Sequence, residues 1–330
     1  METVSIDNYE RGPQLGSGSF GVVEKAIRKR DQKVIALKII DIPSYNQRLK
    51  EMIDEEVITL KKLSFPKCHP FIVCYYDGGY DEKNMKYLIE MELIKGRDMF
   101  DFVQDRAFTN EELYYYLLLI ASDVSRVLKH VHSENILHND IKLENIMIEK
   151  DTNIPKLIDF GLACNTHHTI SWGDACTKVA GTPRYVAPEF LGDVDGLKLP
   201  ASDMWALGVA LYTAVKGEYP YLGTTKNKLF NEIKNDPVPL LKTNNLLLND
   251  VVNGLLEKDP KKRLKPDQVI KMVRERNKKP EALSIRQKYN IKPLKRQPTP
   301  RPDSDESLLS STQLLPSTIF SSSSQSGMSS

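Results

Sequence analysis

Three side chains near the middle of the chain are of the kinds that move protons and hold metal ions. Asp140 and Asn145 lie in His138-Asn139-Asp140-Ile141-Lys142-Leu143-Glu144-Asn145, and Asp159 opens Asp159-Phe160-Gly161 behind an apolar run. Two carboxylates and an amide spaced this way suit one task. One carboxylate orients an attacking hydroxyl and accepts its proton, while the other joins the amide in holding Mg²⁺ on phosphate oxygens. Each tripeptide by itself is more often a turn than a site. Upstream, Lys38 sits in Val34-Ile35-Ala36-Leu37-Lys38-Ile39-Ile40, where an ammonium is costly unless it meets an anion, so phosphates and a carboxylate are its natural partners. Glu56, just ahead of Val57-Ile58-Thr59-Leu60, is the candidate carboxylate, with Glu55 as its competitor. Alone, either residue would read as an exposed lysine or a solvated glutamate. Gly16-Ser17-Gly18-Ser19-Phe20-Gly21-Val22-Val23 lets the backbone turn sharply and bring its N–H groups against phosphates. That pattern is weak evidence alone, but it joins two strand-like runs, which argues against a dinucleotide-binding strand-to-helix turn.

Elements that could position these residues follow from periodicity. Gln14-Leu15, Val22–Ala26 and Val34–Ile40 read as strands, as do Phe71 to Tyr76 and Tyr87 to Met91. Ile53, Val57, Leu60 and Leu63 recur at helical spacing between Glu51 and Leu63. From Asn110 the pattern becomes helical, with apolar stripes over Leu113–Val131, Met204–Val215, Leu247–Glu257 and Pro266–Arg276. Short β-like pieces, Ile146–Ile148 and Lys156–Ile158, lie between them. The expected fold is α+β and bilobal: a small β-rich N-lobe with one main helix, a hinge near Glu92 to Gly96, and a larger, mainly helical C-lobe.

The four motifs in this order resemble those of the protein kinase family. The resemblance runs from about Tyr9 to Arg276. It continues through Gly181-Thr182-Pro183-Arg184-Tyr185-Val186-Ala187-Pro188-Glu189, Asp203-Met204-Trp205-Ala206-Leu207-Gly208 and Asp259-Pro260-Lys261-Lys262-Arg263-Leu264. It implies ATP and Mg²⁺. The loop Gly16-Ser17-Gly18-Ser19-Phe20-Gly21 would cover the phosphates, and Leu15, Val23, Ala36 and Met147 would sandwich adenine. Met91 is similar to the gatekeeper, with the Glu92 carbonyl and Ile94 N–H facing the adenine edge. Lys38, paired by Glu56, would hold the α/β-phosphates. Asp140 would be the catalytic base, Lys142 would steady the γ-phosphate, and Asn145 and Asp159 would bind Mg²⁺. Arg263 is similar in position to the arginine that pairs with Glu189. Lys142 and Thr182 resemble the Ser/Thr branch, because a lysine two residues after the base reaches phosphate only when a short acceptor side chain sits close to that base. Asp98-Met99-Phe100-Asp101 has a texture similar to the calmodulin-dependent-type group. The implied domain is 9–276 (lobes 9–92 and 96–276), after an extension over 1–8.

The chain departs from the family at Asn139, where an arginine usually grips a phosphorylated residue of the activation segment. Lys178 stands where that phosphosite usually falls, beside Thr177. Both departures lead to the expectation of activity without a strict need for activation-loop phosphorylation; a merely weakened regulation is the competing reading. Asp98 and Glu144 resemble acidic positions that favour arginine upstream of the acceptor, whereas a third such position is Thr213; two solvated carboxylates are the competing reading. Cys164, His167, His168 and Cys176 supply the donors of a tetrahedral Zn²⁺ site, but their spacing fits no standard metal motif. A scaffold that had lost chemistry would lack Lys38, Asp140 or Asp159, and all three are present. A small-molecule kinase has no need of the Gly181–Glu189 stretch.

Composition agrees. The 330 residues are 40% apolar and 27% charged with a net charge of +2, which gives no reason to expect nucleic acid as a partner. No apolar run approaches the ~18 residues of a membrane span, and no apolar leader opens the chain, so the expected site of action is cytoplasmic or nuclear. Cys68, Cys74, Cys164 and Cys176 form no CxxC pair, so reduced thiols are expected. Residues 277–330 turn basic and then Ser-rich, a composition expected to be disordered. The Lys292–Arg301 stretch reads either as a docking or localisation patch or as a solvated linker.

Overall fold

The computed structural model describes residues 4–18, 21–42, 47–105, 108–166, 181–191 and 199–276. The N-lobe is a five-stranded antiparallel sheet in the order β1-β2-β3-β5-β4. Its strands are β1 (Tyr9–Gly18), β2 (Gly21–Arg28), β3 (Lys33–Asp41), β4 (Tyr75–Asp81) and β5 (Lys86–Met91), and helix α1 (Gln47–Ser64) lies between β3 and β4. Side chains alternate across β3, so each face meets its own core. Ala36 and Ile40 join the main core with α1, whereas Ile35, Leu37 and Ile39 join a smaller cluster with Tyr9, Ala26 and Leu88. Lys38 shares the face of Ala36 and Ile40, which directs its ammonium toward α1.

The smaller cluster is completed by Val4 and Ile6. Residues 4–8, expected as an extension ahead of the domain, pack on the outer sheet face, with Ile6 N donating to Asp81 Oδ2 at 2.7 Å and Lys29 N to Asn8 O at 3.0 Å. The buried Glu90 carboxylate accepts from Tyr9 Oη (2.7 Å) and from Arg28, so the charge carried inside this lobe is paired.

The C-lobe contains β6 (Gly96–Asp98), α2 (Met99–Val103), α3 (Asn110–Ser133), β7 (Ile136–Leu137), β8 (Ile146–Glu149), β9 (Pro155–Leu157), β10 (Cys164–Asn165), α4 (Pro200–Lys216), α5 (Lys226–Asn235), α6 (Leu246–Leu255) and α7 (Pro266–Arg276). Two small sheets, β6-β8-β9 and β7-β10, hold the loops that carry the candidate chemistry. Helix α3 starts at a capping box in which Thr109 Oγ1 accepts from Glu112 N and the Glu112 carboxylate accepts from Thr109 N.

Two expectations need correction, and one helix was not expected at all. The fourth strand is Tyr75–Asp81, not Phe71–Tyr76: Phe71–Cys74 instead lies against Leu157, with Ile72 and Leu157 forming a parallel bridge. Helix α5 had no apolar stripe to announce it, since only Leu229 and Ile233 are buried and Thr225 caps its start. The cysteines are not all thiols. Cys68 and Cys74 form a disulfide with their Cα atoms 5.4 Å apart, because the Phe71–Cys74 segment folds back toward the end of α1.

Candidate active site

The loop between β7 and β8 is held from below by one buried carboxylate. Asp203, in the first turn of α4, accepts from His138 N (3.0 Å), Asn139 N (2.9 Å) and His132 Nε2 (2.8 Å). Burial raises the Asp203 carboxyl, but His132, His138 and the Asn139 amide outweigh it and hold the group below the usual carboxylate range. Burial pushes the His138 imidazole below its ordinary pKa, which favours the neutral ring. Its partners assign the tautomer: Nε2–H donates to Ile158 O (3.1 Å) and Nδ1 accepts from Asp140 N (3.3 Å). Asn139 takes φ +65°, a conformation that asparagine tolerates better than most residues.

This support presents the Asp140 carboxylate to four donors. Oδ2 accepts from Lys142 Nζ (2.6 Å) and Asn145 Nδ2 (2.9 Å), and Oδ1 accepts from the Thr182 hydroxyl (3.0 Å) and Thr182 N (3.3 Å). Lys142 Nζ also donates to Thr182 Oγ1 (3.5 Å). Thr182 can approach because Gly181 precedes it at φ +101°, where a Cβ would stand 2.6 Å from Asn139 O. Only glycine fits there.

The second group of charges is equally specific. Lys38 Nζ donates to Glu56 Oε1 at 2.6 Å and to Asp159 Oδ1 at 3.4 Å. Glu55 points to solvent, so α1 settles the choice between the two glutamates. Burial opposes the Lys38 ammonium, but Glu56 and Asp159 outweigh it and hold the lysine above its usual pKa. Asp159, at φ +57°, is pushed up by burial and pulled down further by Lys38 and Gly161 N, so it stays ionised below the ordinary range. Phe160 is buried edge-on against His138, with ring centroids 4.7 Å apart, and this packing holds Asp159 beside Lys38.

The remaining predicted residues come from both lobes. Leu15, Val23 and Ala36 lie on β1, β2 and β3, Ala36 is opposite Met91 on β5, and Met147 is half-buried on β8. Gly16 pairs with Val23 and Gly18 with Gly21. A Cβ on Gly21 would lie 2.2 Å from Ile39 O, so that glycine is required by the neighbouring strand as well as by any phosphate. Ser17 is exposed, while Ser19 and Phe20 lie outside the described residues. Glu92 N donates to Cys74 O (2.8 Å) and its carboxylate accepts from Lys156 Nζ (2.7 and 2.9 Å); Ile94 is half-buried beside it. Asp98 caps α2 by accepting from Asp101 N (2.8 Å), and Glu144 is exposed. Of the zinc candidates only Cys164 is described, and no cluster of three or more His, Cys, Asp or Glu able to hold a metal occurs among the described residues.

A family model for the protein kinase domain matches residues 9–273. The chain belongs to the protein kinase domain family. It is 33% identical over 265 residues to a "cAMP-dependent protein kinase, catalytic subunit-like" protein of Caenorhabditis briggsae, covering 80% of this chain and 64% of that one. It is 34% identical over 274 residues to mouse "Serine/threonine-protein kinase DCLK3" (80% and 32%), and 31% over 267 residues to a Drosophila melanogaster "RAC serine/threonine-protein kinase" (80% and 41%). The matched region thus spans between a third and just under two thirds of these relatives' own lengths. Their near-equal identities single out no subgroup.

Two features of the kinase site were not legible beforehand. In the sequence Asp203 stands only as part of a motif, although a buried carboxylate at the start of an apolar helix has to be paired, and the loop amides are its partners. Asn139 also makes a contact of its own: Nδ2 donates to Leu162 O (2.9 Å) and Cys164 Sγ (3.2 Å), tying the loop to the stretch after Asp159-Phe160-Gly161.

The donor set fits Mg²⁺. Asp159 offers carboxylate oxygens, and Asn145 uses Nδ2 for both of its bonds to Asp140, so its Oδ1, the atom a cation would need, is not engaged in them. Ile158 N donates to Asn145 O (3.0 Å), stitching the two donors' backbones together.

Proposed function

We propose that this domain transfers the γ-phosphoryl group of ATP to serine and threonine hydroxyls of proteins. The observation that carries the reading is the convergence of Lys142, Asn145 and Thr182 on Asp140, next to the Lys38–Glu56–Asp159 group. Asp140 would accept the acceptor's hydroxyl proton and aim its oxygen, and Lys142 would balance charge on the transferred group. Lys38 would hold the α/β-phosphates under the backbone of Gly16, Gly18 and Gly21, with adenine between Leu15, Val23, Ala36 and Met147. Asn145 and Asp159 would hold Mg²⁺, which supplies positive charge to the phosphate oxygens. Neutral His138 and ionised Asp203 would keep Asp140 in place. Lys142, held 2.6 Å from Asp140, reaches the transferred phosphate only when the acceptor oxygen sits close to that base, which suits a short acceptor side chain. Asp98 and Glu144 favour acceptors with basic residues upstream. The basic 292–301 stretch suits an acidic docking partner, and the cytoplasm or nucleus suits the chemistry. Incubation with γ-labelled ATP and mixed protein acceptors, followed by phosphoamino-acid analysis, is expected to place the label on serine and threonine; label confined to tyrosine would refute the acceptor assignment.

Regulation follows from Asn139. An amide cannot replace arginine's charge against a phosphate, but its bonds to Leu162 and Cys164 supply a neutral tie for the same segment. Phosphatase-treated enzyme is therefore expected to retain at least half of its activity on a peptide acceptor. Loss of most activity, restored by rephosphorylation, is the outcome that contradicts this.

A further inference from the structure

We propose that Cys68 and Cys74 are a redox modification site: a reversible disulfide, exchanged with small-molecule disulfides, that fixes the segment joining α1 to β4. The Cα separation of 5.4 Å lies inside the range that a disulfide bridges without backbone movement. Cys68 is exposed and Cys74 is buried, so solvent-borne reagents reach one sulfur and the fold presents the other to it.

The segment between them is tied to α1, to Glu92 and to the strand just ahead of Asp159. Just beyond Cys74, Tyr75 N donates to Ser64 Oγ (2.9 Å) at the end of α1, the helix that carries Glu56. At its hinge end, Cys74 O accepts from Glu92 N (2.8 Å) and Cys74 N donates to Glu92 Oε2 (3.4 Å). In between, Val73 N donates to Leu157 O (3.0 Å) and Leu157 N to Phe71 O (2.9 Å), two residues ahead of Asp159. His69 stacks on His130 of α3, with centroids 4.9 Å apart. A bridge from 68 to 74 closes this stretch into a short ring, and its opening loosens the anchor shared by Glu56, Glu92 and Asp159.

The exchange balances with oxidised glutathione as co-reactant. The Cys68 thiolate attacks one sulfur of that disulfide, forming a mixed disulfide and releasing one glutathione thiolate. The Cys74 thiolate then attacks Cys68 Sγ and expels the second. Two electrons pass from the cysteine pair to one glutathione disulfide, and the two thiol protons pass to solvent or to the released thiolates.

The test uses the full chain equilibrated across ratios of oxidised to reduced glutathione, trapped by alkylation and cut with trypsin. Cleavage after Lys67 and Lys83 leaves both cysteines on one peptide, so the bridge reads as the loss of two hydrogens with no alkyl label. The expected result is full interconversion across the series, with the oxidised protein melting roughly 4 to 8 °C higher than the reduced one. Cys68→Ser, which keeps every other cysteine, is expected to lose most of that difference. Cysteines that stay alkylatable in oxidised glutathione, an adduct confined to Cys68, or a melting difference equal in Cys68→Ser overturn the proposal. These readouts are independent of catalysis. A lower KM for ATP in the oxidised form is a further expectation that rests on the phosphotransfer reading, and its absence alongside a working bridge counts against the link to the active site.

Discussion

Asp140→Asn is expected to lower kcat by about 10²- to 10⁴-fold while changing the KM for ATP by no more than a few-fold. The substitution is nearly isosteric, and the backbone at 140 is held by other groups: Asp203 fixes the amides of 138 and 139, and His138 Nδ1 accepts from Asp140 N. What is lost is basicity. The asparagine oxygen can still accept from Lys142, but its amide nitrogen cannot accept from the Thr182 hydroxyl and cannot take a proton from an acceptor. Loss of general-base assistance on this scale corresponds to about 3 to 5 kcal/mol of transition-state stabilisation. The nucleotide contacts argued for Lys38, Glu56 and Asp159 are untouched, so the damage belongs in kcat. Steady-state kinetics on a peptide acceptor checks this, and a kcat within threefold of wild type removes Asp140 from the role of base.

The largest expected effect on stability lies elsewhere. Arg263 is fully buried and makes a bidentate pair with Glu189 (2.7 and 2.8 Å), while also donating to Ala201 O (2.7 Å), Glu257 O (2.8 Å) and Lys258 O (3.3 Å). Its guanidinium lies 5.2 Å from the ring of buried Trp205. Arg263→Ala leaves the Glu189 carboxylate without its counter-charge and removes one donor from each of three carbonyls. Breaking a buried pair from one side costs about 3 to 5 kcal/mol, against a total of about 5 to 15 for an ordinary domain. Thermal unfolding is expected to drop by roughly 10 °C. Arg263→Lys is expected to recover only part of this, because a lysine cannot span both carboxylate oxygens. A melting temperature within 2 °C of wild type for Arg263→Ala means that the pair carries little of the fold.

How much could be read in advance depended on whether the signal was local. Lys38 was legible because a charge amid apolar strand residues demands a partner, and the stripe of Ile53, Val57, Leu60 and Leu63 gave the helix that supplies one. Choosing Glu56 over Glu55 required the helix phase, which sequence left open by one residue. Strand β4 was hidden by Asp77-Gly78-Gly79, whose β propensity is poor and whose pairing is set by β5. Helix α5 was hidden by its charge. The support that Asp203 gives to 138 and 139, and the Cys68–Cys74 bridge, join residues by the path of the backbone, which no local pattern encodes. The packing of Val4 and Ile6 on the outer sheet face belongs to the same class. By contrast, Arg263 beside Glu189 followed from family resemblance and is met in the fold at 2.7 Å.

Transfer of labelled phosphate from ATP to a protein acceptor, measured for wild type beside Lys38→Met and Asp159→Asn, tests the central claim most directly. The expected result is robust incorporation by wild type and a loss of at least a hundredfold in both variants, with the folded state of each checked by thermal unfolding. Equal incorporation by all three proteins, or none by folded wild type with ATP and Mg²⁺ present, would contradict the assignment of this site to phosphotransfer.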